Sequence, residues 1–402
     1  MAKRRKLKAS DIIDKVDVHY DNTEKLRQRM EDDYSLYRLD PYDAGDGYQS
    51  YTSNAPQTYA DKVISWIVSS EMVARIPNIH ENEEIRFANN NKEKVFLGML
   101  RSADERLKNS LSPSIKNQLA FYVAIRGWYA GRALLTKKDD GTTYVDISPW
   151  DPMHTYWGVG ADGLAWACHK IQKGRTEIEE EYGVKLSGEA TDRADEDWLY
   201  VYDYYDKEEN IVVVGNGQVV KKATAHGSPR VPVFIGPVGS TPPVQALAEH
   251  TDIESTVEDF GESVFKSSRD VYEKNNFMMS IMLELTARAR RQGLKIKSRD
   301  GSKTLDEDPY KEGTEISLAQ GEDVEPLGLL EMSRETQGFM GVLTGDMQRG
   351  TLPHSIYGDL QFQLSGFAIN TLRQGIDSVL QPRIEALEDA YMKMCMLLCD
   401  QY

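Results

Sequence analysis

Long hydrophobic runs are missing from this chain. No stretch approaches the roughly 18 to 20 apolar residues that a membrane-spanning helix requires, and the N-terminus lacks the apolar core of a signal peptide. The reading is of a protein that stays in the cytosol that makes it and has no membrane partner. Cysteine is scarce too: Cys168, Cys395 and Cys399 are the only three, an odd number with no Cys-x-x-Cys pair, so they read as reduced thiols. Basic charge is in deficit. Lys and Arg number 48 against 64 Asp and Glu, giving a net charge of −16, and the average surface therefore repels nucleic acid rather than wrapping it.

The strong catalytic signatures are absent as well. The sequence contains no Gly-x-x-x-x-Gly-Lys-Ser/Thr, no Gly-x-Ser-x-Gly and no His-Glu-x-x-His; the run His80-Glu-Asn-Glu-Glu84 lacks its second histidine. The seven histidines are scattered, and no two stand three or four residues apart, the spacing that sets two ligands on one helix face. No catalytic residue, metal site or cofactor is expected, and nothing marks an enzyme. Cys395 and Cys399 have i, i+4 spacing inside Met394-Cys-Met-Leu-Leu-Cys399, where they read as small fillers of a packed helix. Trp150, Tyr156, Trp157, Trp166, Trp198, Tyr200, Tyr202, Tyr204 and Tyr205 form an aromatic-rich stretch. Beside Asp146 and Asp151 it could stack sugars, but the commoner use of aromatics in antiparallel strands is cross-strand packing.

What is present is a change of grammar along the chain. The first third is helical in pattern: apolar residues recur at helical spacing over 12–39, ending at Asp40-Pro41, then over 59–73, 93–111 and 114–130. Short runs rich in β-branched and aromatic residues follow, broken by Asp140-Gly141 and Asp162-Gly163. They predict strands at 133–137, 143–147, 164–170, 198–205, 211–214 and 218–222, with a short helix at 177–182. Gly227-Ser-Pro-Arg-Val-Pro-Val-Phe-Ile-Gly236 adds a strand framed by Pro and Gly. From 244 to 292 there is no proline and one glycine, Gly261, which reads as one very long helix or two in tandem. A small insertion begins at Gly293, with strands expected at 294–298 and 315–319. A helical pattern resumes near Leu329, breaks across 345–358 and then runs to the end, apolar at Leu372, Ile376, Val379, Leu380, Ile384, Leu387, Tyr391, Met394 and Leu398.

This order of parts resembles the portal proteins of tailed bacteriophages. The motifs that carry the resemblance are the Gly227–Gly236 run before the long helix, Ser148-Pro-Trp-Asp-Pro152 followed by Tyr156-Trp157, and Leu352-Pro-His-Ser-Ile-Tyr-Gly-Asp359 with Ser365-Gly-Phe-Ala-Ile-Asn370 and Leu380-Gln-Pro382-Arg-Ile-Glu385. The resemblance implies an α+β, portal-like fold. It divides the chain into a helical N-terminal part of the wing (1–130), a β-rich wing (131–240), a long helix leading into the stem (241–292), a small β clip (293–328), a return stem helix (329–343), a channel loop (344–360) and a long C-terminal wing helix (361–402). Many portals continue into a helical crown, whereas here the apolar period is still running at Tyr402, so the expected crown is minimal or truncated.

The resemblance also implies a function: one subunit of a homo-oligomeric ring of about twelve copies at one capsid vertex of a virion. Double-stranded DNA would pass through it without sequence preference. The implied partners are a packaging ATPase (terminase), the major capsid or scaffold protein and a head-tail adaptor. In that frame Asp346, Met347, Gln348, Arg349 and Gly350 belong to a loop touching DNA in the channel, or else to an ordinary outer loop. Arg288, Arg290, Arg291, Lys295, Lys297 and Arg299 either centre the duplex near the clip or cap the long helix, where cations favour its dipole. The basic start, Met1-Ala-Lys-Arg-Arg-Lys-Leu-Lys8, reads as a solvated tail or a short phosphate-contacting arm. The rival readings are another phage head protein and a carbohydrate-active hydrolase.

Overall fold

In a computed structural model of the chain, the residues described are 7–71, 76, 83–137, 141–187, 198–239, 260–290, 293–298, 301, 304–305, 315–326, 334–351 and 366–402. The fold is α+β and divides into two compact units. The larger comprises Met1–Arg38, Ala55–Ser267 and His354–Tyr402; the smaller comprises Leu39–Asn54 and Ser268–Pro353.

Two helices, α1 (Ala9–Asp21) and α2 (Glu24–Arg38), open the larger unit where the periodicity predicts one over 12–39. The break falls at Thr23, whose hydroxyl donates to the His19 carbonyl at 2.7 Å and so competes with the helix ladder. Helices α3 (Ala55–Ser69), α4 (Glu83–Asn109) and α5 (Ile115–Ile125) follow. The expected helix at 93–111 thus begins earlier, at Glu83. The expected helix at 114–130 ends at Ile125, because Gly127 takes φ +69° and turns the chain into a strand.

Strands β1 (Trp128–Lys137), β2 (Thr143–Trp150) and β8 (Val233–Pro237) form an antiparallel sheet in the order β2-β1-β8. The second sheet is a five-stranded meander: β3 (Thr155–Gly160), β4 (Gly163–Gly174), β5 (Trp198–Asp206), β6 (Glu209–Val214) and β7 (Val219–Ala225). Helix α6 (Arg175–Tyr182) lies between β4 and β5 in sequence. Alternation along β5 sorts the core. Tyr202 and Tyr204 face Ile12 and Val16 of α1, while Val201 packs with Ile178 and Val212, and Tyr205 with Trp150 and Ala130 of the first sheet. Burying Ile12 or Val16 contributes roughly 1.5–3 kcal/mol each.

The edges of these sheets are blocked. At β3 the Arg27 guanidinium, lying 4.0 Å over the Tyr156 ring, donates to the carbonyls of Met153 and Thr155. At β8 the Lys393 ammonium donates to the Ile235 carbonyl at 3.1 Å, and β7 carries Lys221 and Lys222. Helix α7 (Arg269–Arg290) and helix α8 (Arg334–Gly350) belong to the smaller unit, whereas helix α9 (Gly366–Gln401) crosses the first sheet in the larger one. Where β1 outruns β8, the Gln401 side chain replaces a strand: its amide accepts from Leu135 N–H at 2.9 Å and donates to the Ala133 carbonyl at 3.0 Å. Arg383, beside the internal Pro382, ties α9 to the carbonyls of Glu262 and Ser263 at 3.2 and 2.7 Å.

In the smaller unit α7 leads into a hairpin of β9 (Leu294–Lys297) and β10 (Asp323–Pro326), and α8 leads away from it to pack on α7. Two expectations are corrected here. Of the two readings of 244–292, the single continuous helix is excluded: residues 260–268 are non-helical, and Gly261 sits at φ +81°, which no helix accommodates. Residues 240–259 lie outside the described set. The second hairpin strand is at Asp323–Pro326 and not at 315–319, because only there do Val324 and Ile296 face each other while acids meet lysines. The Tyr- and Gly-rich segment 39–54 is fastened to α7. Tyr51 N–H donates to Ser280 Oγ at 2.9 Å and Ser53 N–H to Asn276 Oδ1 at 3.0 Å.

Candidate interaction surfaces

The proposed channel loop is a correction in conformation. Helix α8 runs through Gly345 to Gly350, so Asp346, Met347, Gln348, Arg349 and Gly350 form its last turn and not a loop; 352–360 lie outside the described residues. Helical geometry brings Asp346 and Arg349 together, i, i+3, at 3.2 Å on the exposed face of this turn. Gln348 and Arg349 are exposed.

The basic cluster is only partly assembled. Arg288 and Arg290 occupy the last turn of α7, Lys295 and Lys297 stand two residues apart on β9 and share its exposed face, and Arg291 and Arg299 lie outside the described residues. Opposite the lysines the ladder places Glu325 and Asp323. Lys297 Nζ lies 3.2 Å from Glu325 and 3.7 Å from Asp323, and the hydrogen bond to Glu325 raises the pKa of its ammonium. The strand half of the cluster is therefore matched by its own hairpin.

The helices of the smaller unit carry the more telling surface. Phe277 and Leu283 on α7 and Phe339 and Val342 on α8 are exposed, Val342 at 56%. Inside the unit, the buried apolar residues of these helices are Tyr272, Met278 and Leu343 among those described. Both helices thus expose large apolar side chains among the described residues, and on α8 Phe339 and Val342, three residues apart, share one face.

Most of the residues that a sugar-binding reading would use are otherwise engaged, although Trp198 and Tyr200 are exposed. Asp146 is nearly buried, with Arg106 and Arg132 on its two oxygens, the latter at 2.7 Å. Asp151 takes the Arg126 guanidinium on both oxygens, at 3.1 and 2.9 Å, and caps the turn at Pro152–His154. Trp150, Tyr156, Tyr202, Tyr204 and Tyr205 are core residues, Trp150 stacking on His169 at 4.7 Å. Arg132 shows how strong this network is. Burial works to lower its pKa, but Tyr205, Asp203 and Asp146 outweigh burial and raise it.

A cleft of about 940 Å³ runs along β8, walled by Trp128, Trp157, Phe260 and Met396. Its charged groups are paired: Lys207 with Asp162 at 3.7 Å, Arg230 with Asp400 at 2.9 Å and Lys393 with Asp389 at 2.9 Å. The three thiols are free; burial pushes all of them up, Cys168 most, so they are not activated nucleophiles. Among the described residues no group of three or more His, Cys, Asp and Glu is placed to hold a metal ion, and no helix is long and apolar enough to cross a membrane.

Fold and surfaces together define an α+β protein whose smaller unit is a pair of helices bracketing a two-stranded sheet, with apolar side chains on the outside of both helices. No family model matches the chain, and no curated protein matches it. Among solved structures it is similar to a chain in the neck of an empty GTA particle computed with C6 symmetry, with 14% identity and a TM-score of 0.43 over 88% of this chain and 82% of that one.

Proposed function

We propose that the chain is a portal-type subunit that self-associates side by side into a closed ring around a channel for double-stranded DNA at one vertex of a virion. The observation that carries the reading is the helix–hairpin–helix unit with exposed apolar side chains on both of its helices. In a chain of net charge −16, Phe277, Leu283, Phe339 and Val342 gain from burial against another subunit, and a ring supplies a different face of the next copy to each. The sequence motifs shared with portal proteins support the same reading.

Acidity suits passage. Each phosphate neutralised by a protein cation releases counterions and adds sequence-independent affinity, which would arrest sliding. Copies carrying −16 each present a wall that repels the duplex, and the exposed Gln348 and Arg349 at the end of α8 give a light, reversible touch. Energy for packaging comes from a separate ATPase, consistent with the lack of a nucleotide-binding motif in this sequence. Capsid or scaffold protein and a head-tail adaptor are the remaining partners.

Electron microscopy of the purified protein tests the ring. Class averages with about twelvefold symmetry and a central hole wide enough for duplex DNA are expected; monomers under all conditions, even with capsid and scaffold present, would overturn the reading. Crosslinking from a Gln348→Cys variant to DNA in filled heads is the finer test, and signal at background would remove the α8 terminus from the channel.

A further inference from the structure

Asn216 is the only asparagine of this chain that is followed by a glycine, and the pair sits at the exposed tip of the β6–β7 hairpin. The geometry there is well defined. Gly217 N–H donates to the Val214 carbonyl at 2.8 Å and Val214 N–H to the Gln218 carbonyl at 2.9 Å, while Gly217 takes φ +85°, so the tip is a tight turn closed by a left-handed glycine. The Asn216 side chain folds back along the turn: its Oδ1 accepts from Gln218 N–H at 2.9 Å, closing a small ring that contains both Asn216 Cγ and Gly217 N. An amide carbon and a backbone nitrogen are thereby held close to each other. Nothing lies within 4 Å of the place that a Cβ on Gly217 would occupy, so approach to that nitrogen is open.

The same side chains fasten the hairpin tip to the segment that follows α6. Asn216 Nδ2 donates to the Ser187 carbonyl at 3.3 Å; the Gln218 amide donates to the Lys185 carbonyl at 2.9 Å and accepts from Ser187 N–H and Oγ at 2.7 and 2.9 Å. Between these contacts Leu186 packs in the core with Ile178, Val212 and Val220.

We propose that Asn216 is a self-modifying site, converted through a cyclic imide to aspartate and isoaspartate, and that the conversion releases the hairpin tip from residues 185–187. The chemistry balances with water as the only co-reactant. Gly217 N gives up its proton to solvent base and bonds to Asn216 Cγ; the Cγ–Nδ2 bond breaks, and the nitrogen leaves as ammonia with a proton from water. Water then opens the imide ring at either carbonyl and leaves a carboxylate. Two features of the fold act on the rate in opposite directions. Opening the hydrogen bond from Gly217 N–H to Val214 slows attack by up to about tenfold, whereas Gln218 N–H, already aimed at Oδ1, stabilises the negative charge that grows on that oxygen. The product cannot keep the old contacts: a carboxylate at 216 has no N–H for the Ser187 carbonyl, and isoaspartate adds a methylene to the main chain of a turn whose length two hydrogen bonds fix.

Peptide mapping by mass spectrometry tests the site on the full chain, held in mildly alkaline buffer that leaves its circular dichroism native. A gain of about 1 Da at Asn216, part of it detected as isoaspartate, is expected at a rate at least about tenfold that at Asn109, which is followed by Ser110. Asn216→Gln, whose amide would have to close a larger ring, should show no gain. An unmodified Asn216, or one modified no faster than Asn109, would overturn the site. Release is read separately by hydrogen exchange: the Ser187 amide should exchange about threefold faster or more in the modified chain than in the fresh one, and equal protection in the two would refute it.

Discussion

Arg126 shows how much one side chain carries. Only 5% exposed, it grips both oxygens of Asp151 and donates to the Met30 carbonyl at 2.6 Å, so three backbone segments meet on one guanidinium. Arg126→Ala leaves the partly buried Asp151 carboxylate without its cation and removes the side-chain donor from the Met30 carbonyl, and a loss of about 3 kcal/mol is expected from the urea midpoint. Arg126→Lys does not restore it, because an ammonium cannot match the two-pronged geometry. Two histidines set the response to acid. Burial, with the charge of Arg27, lowers His19 to about 3; burial, with His154, Arg132 and Lys173, lowers His169 to about 3. Both are neutral in the fold and take protons near pH 6.5 once unfolded, so their neutrality costs nothing above 6.5. Below it the unfolded state gains protons first, and each histidine removes about 1.4 kcal/mol per pH unit down to about pH 3. Unfolding at pH 7, 5.5 and 4.5 checks this: His169→Gln should flatten the decline relative to the parent chain, and an unchanged slope would place the acid sensitivity elsewhere.

Among the elements, the junctions are where side chains replace what the backbone cannot do. Gly261 is one such place: a Cβ there would run into Trp128 Nε1 and lie 2.5 Å from the Gly127 carbonyl, at a φ of +81° that a side chain resists. Gly261→Ala is expected to cost at least about 1–3 kcal/mol from backbone strain alone, read as a lower melting temperature. Gln401→Ala strips β1 of its substitute partner and strands Ala133 O and Leu135 N, costing about 1–3 kcal/mol for each group left dry; protection of the Leu135 amide from hydrogen exchange should fall. These junctions also mark the limit of what periodicity conveys. The last four strands of the meander, the Asp162-Gly163 turn, the strand before Gly236 and the amphipathic helices were readable because period and turn chemistry are local, whereas β3 was missed. The split at Thr23 was not, since a hydroxyl bond competes invisibly with a continuous apolar stripe. Gly261 looked like a tolerated helix glycine because its conformation is set by Trp128, far away in sequence. Gly345 looked like a break, yet α8 continues through it to Gly350, packed against α7. The ring cluster of Tyr34 and Tyr37 on α2 with Phe121 on α5 went unseen although the two tyrosines stand i, i+3, because Phe121 reaches them from another helix.

At the scale of the whole molecule two forces oppose each other across any contact between copies. Each copy carries −16, so approach is repulsive at low ionic strength, where the screening length is about 30 Å at 0.01 M and about 8 Å at 0.15 M. Against that stand the exposed apolar side chains of α7 and α8, whose attraction needs contact and does not weaken with salt. Association should therefore rise between about 0.02 and 0.5 M NaCl, measured by sedimentation velocity. Phe339→Asp with Val342→Asp should abolish it at every salt concentration while leaving the helical circular dichroism spectrum intact, since both positions are exposed in the single copy. Association that falls with salt in the parent chain and survives the aspartate pair would mean that charge, not the helical stripe, holds the copies together.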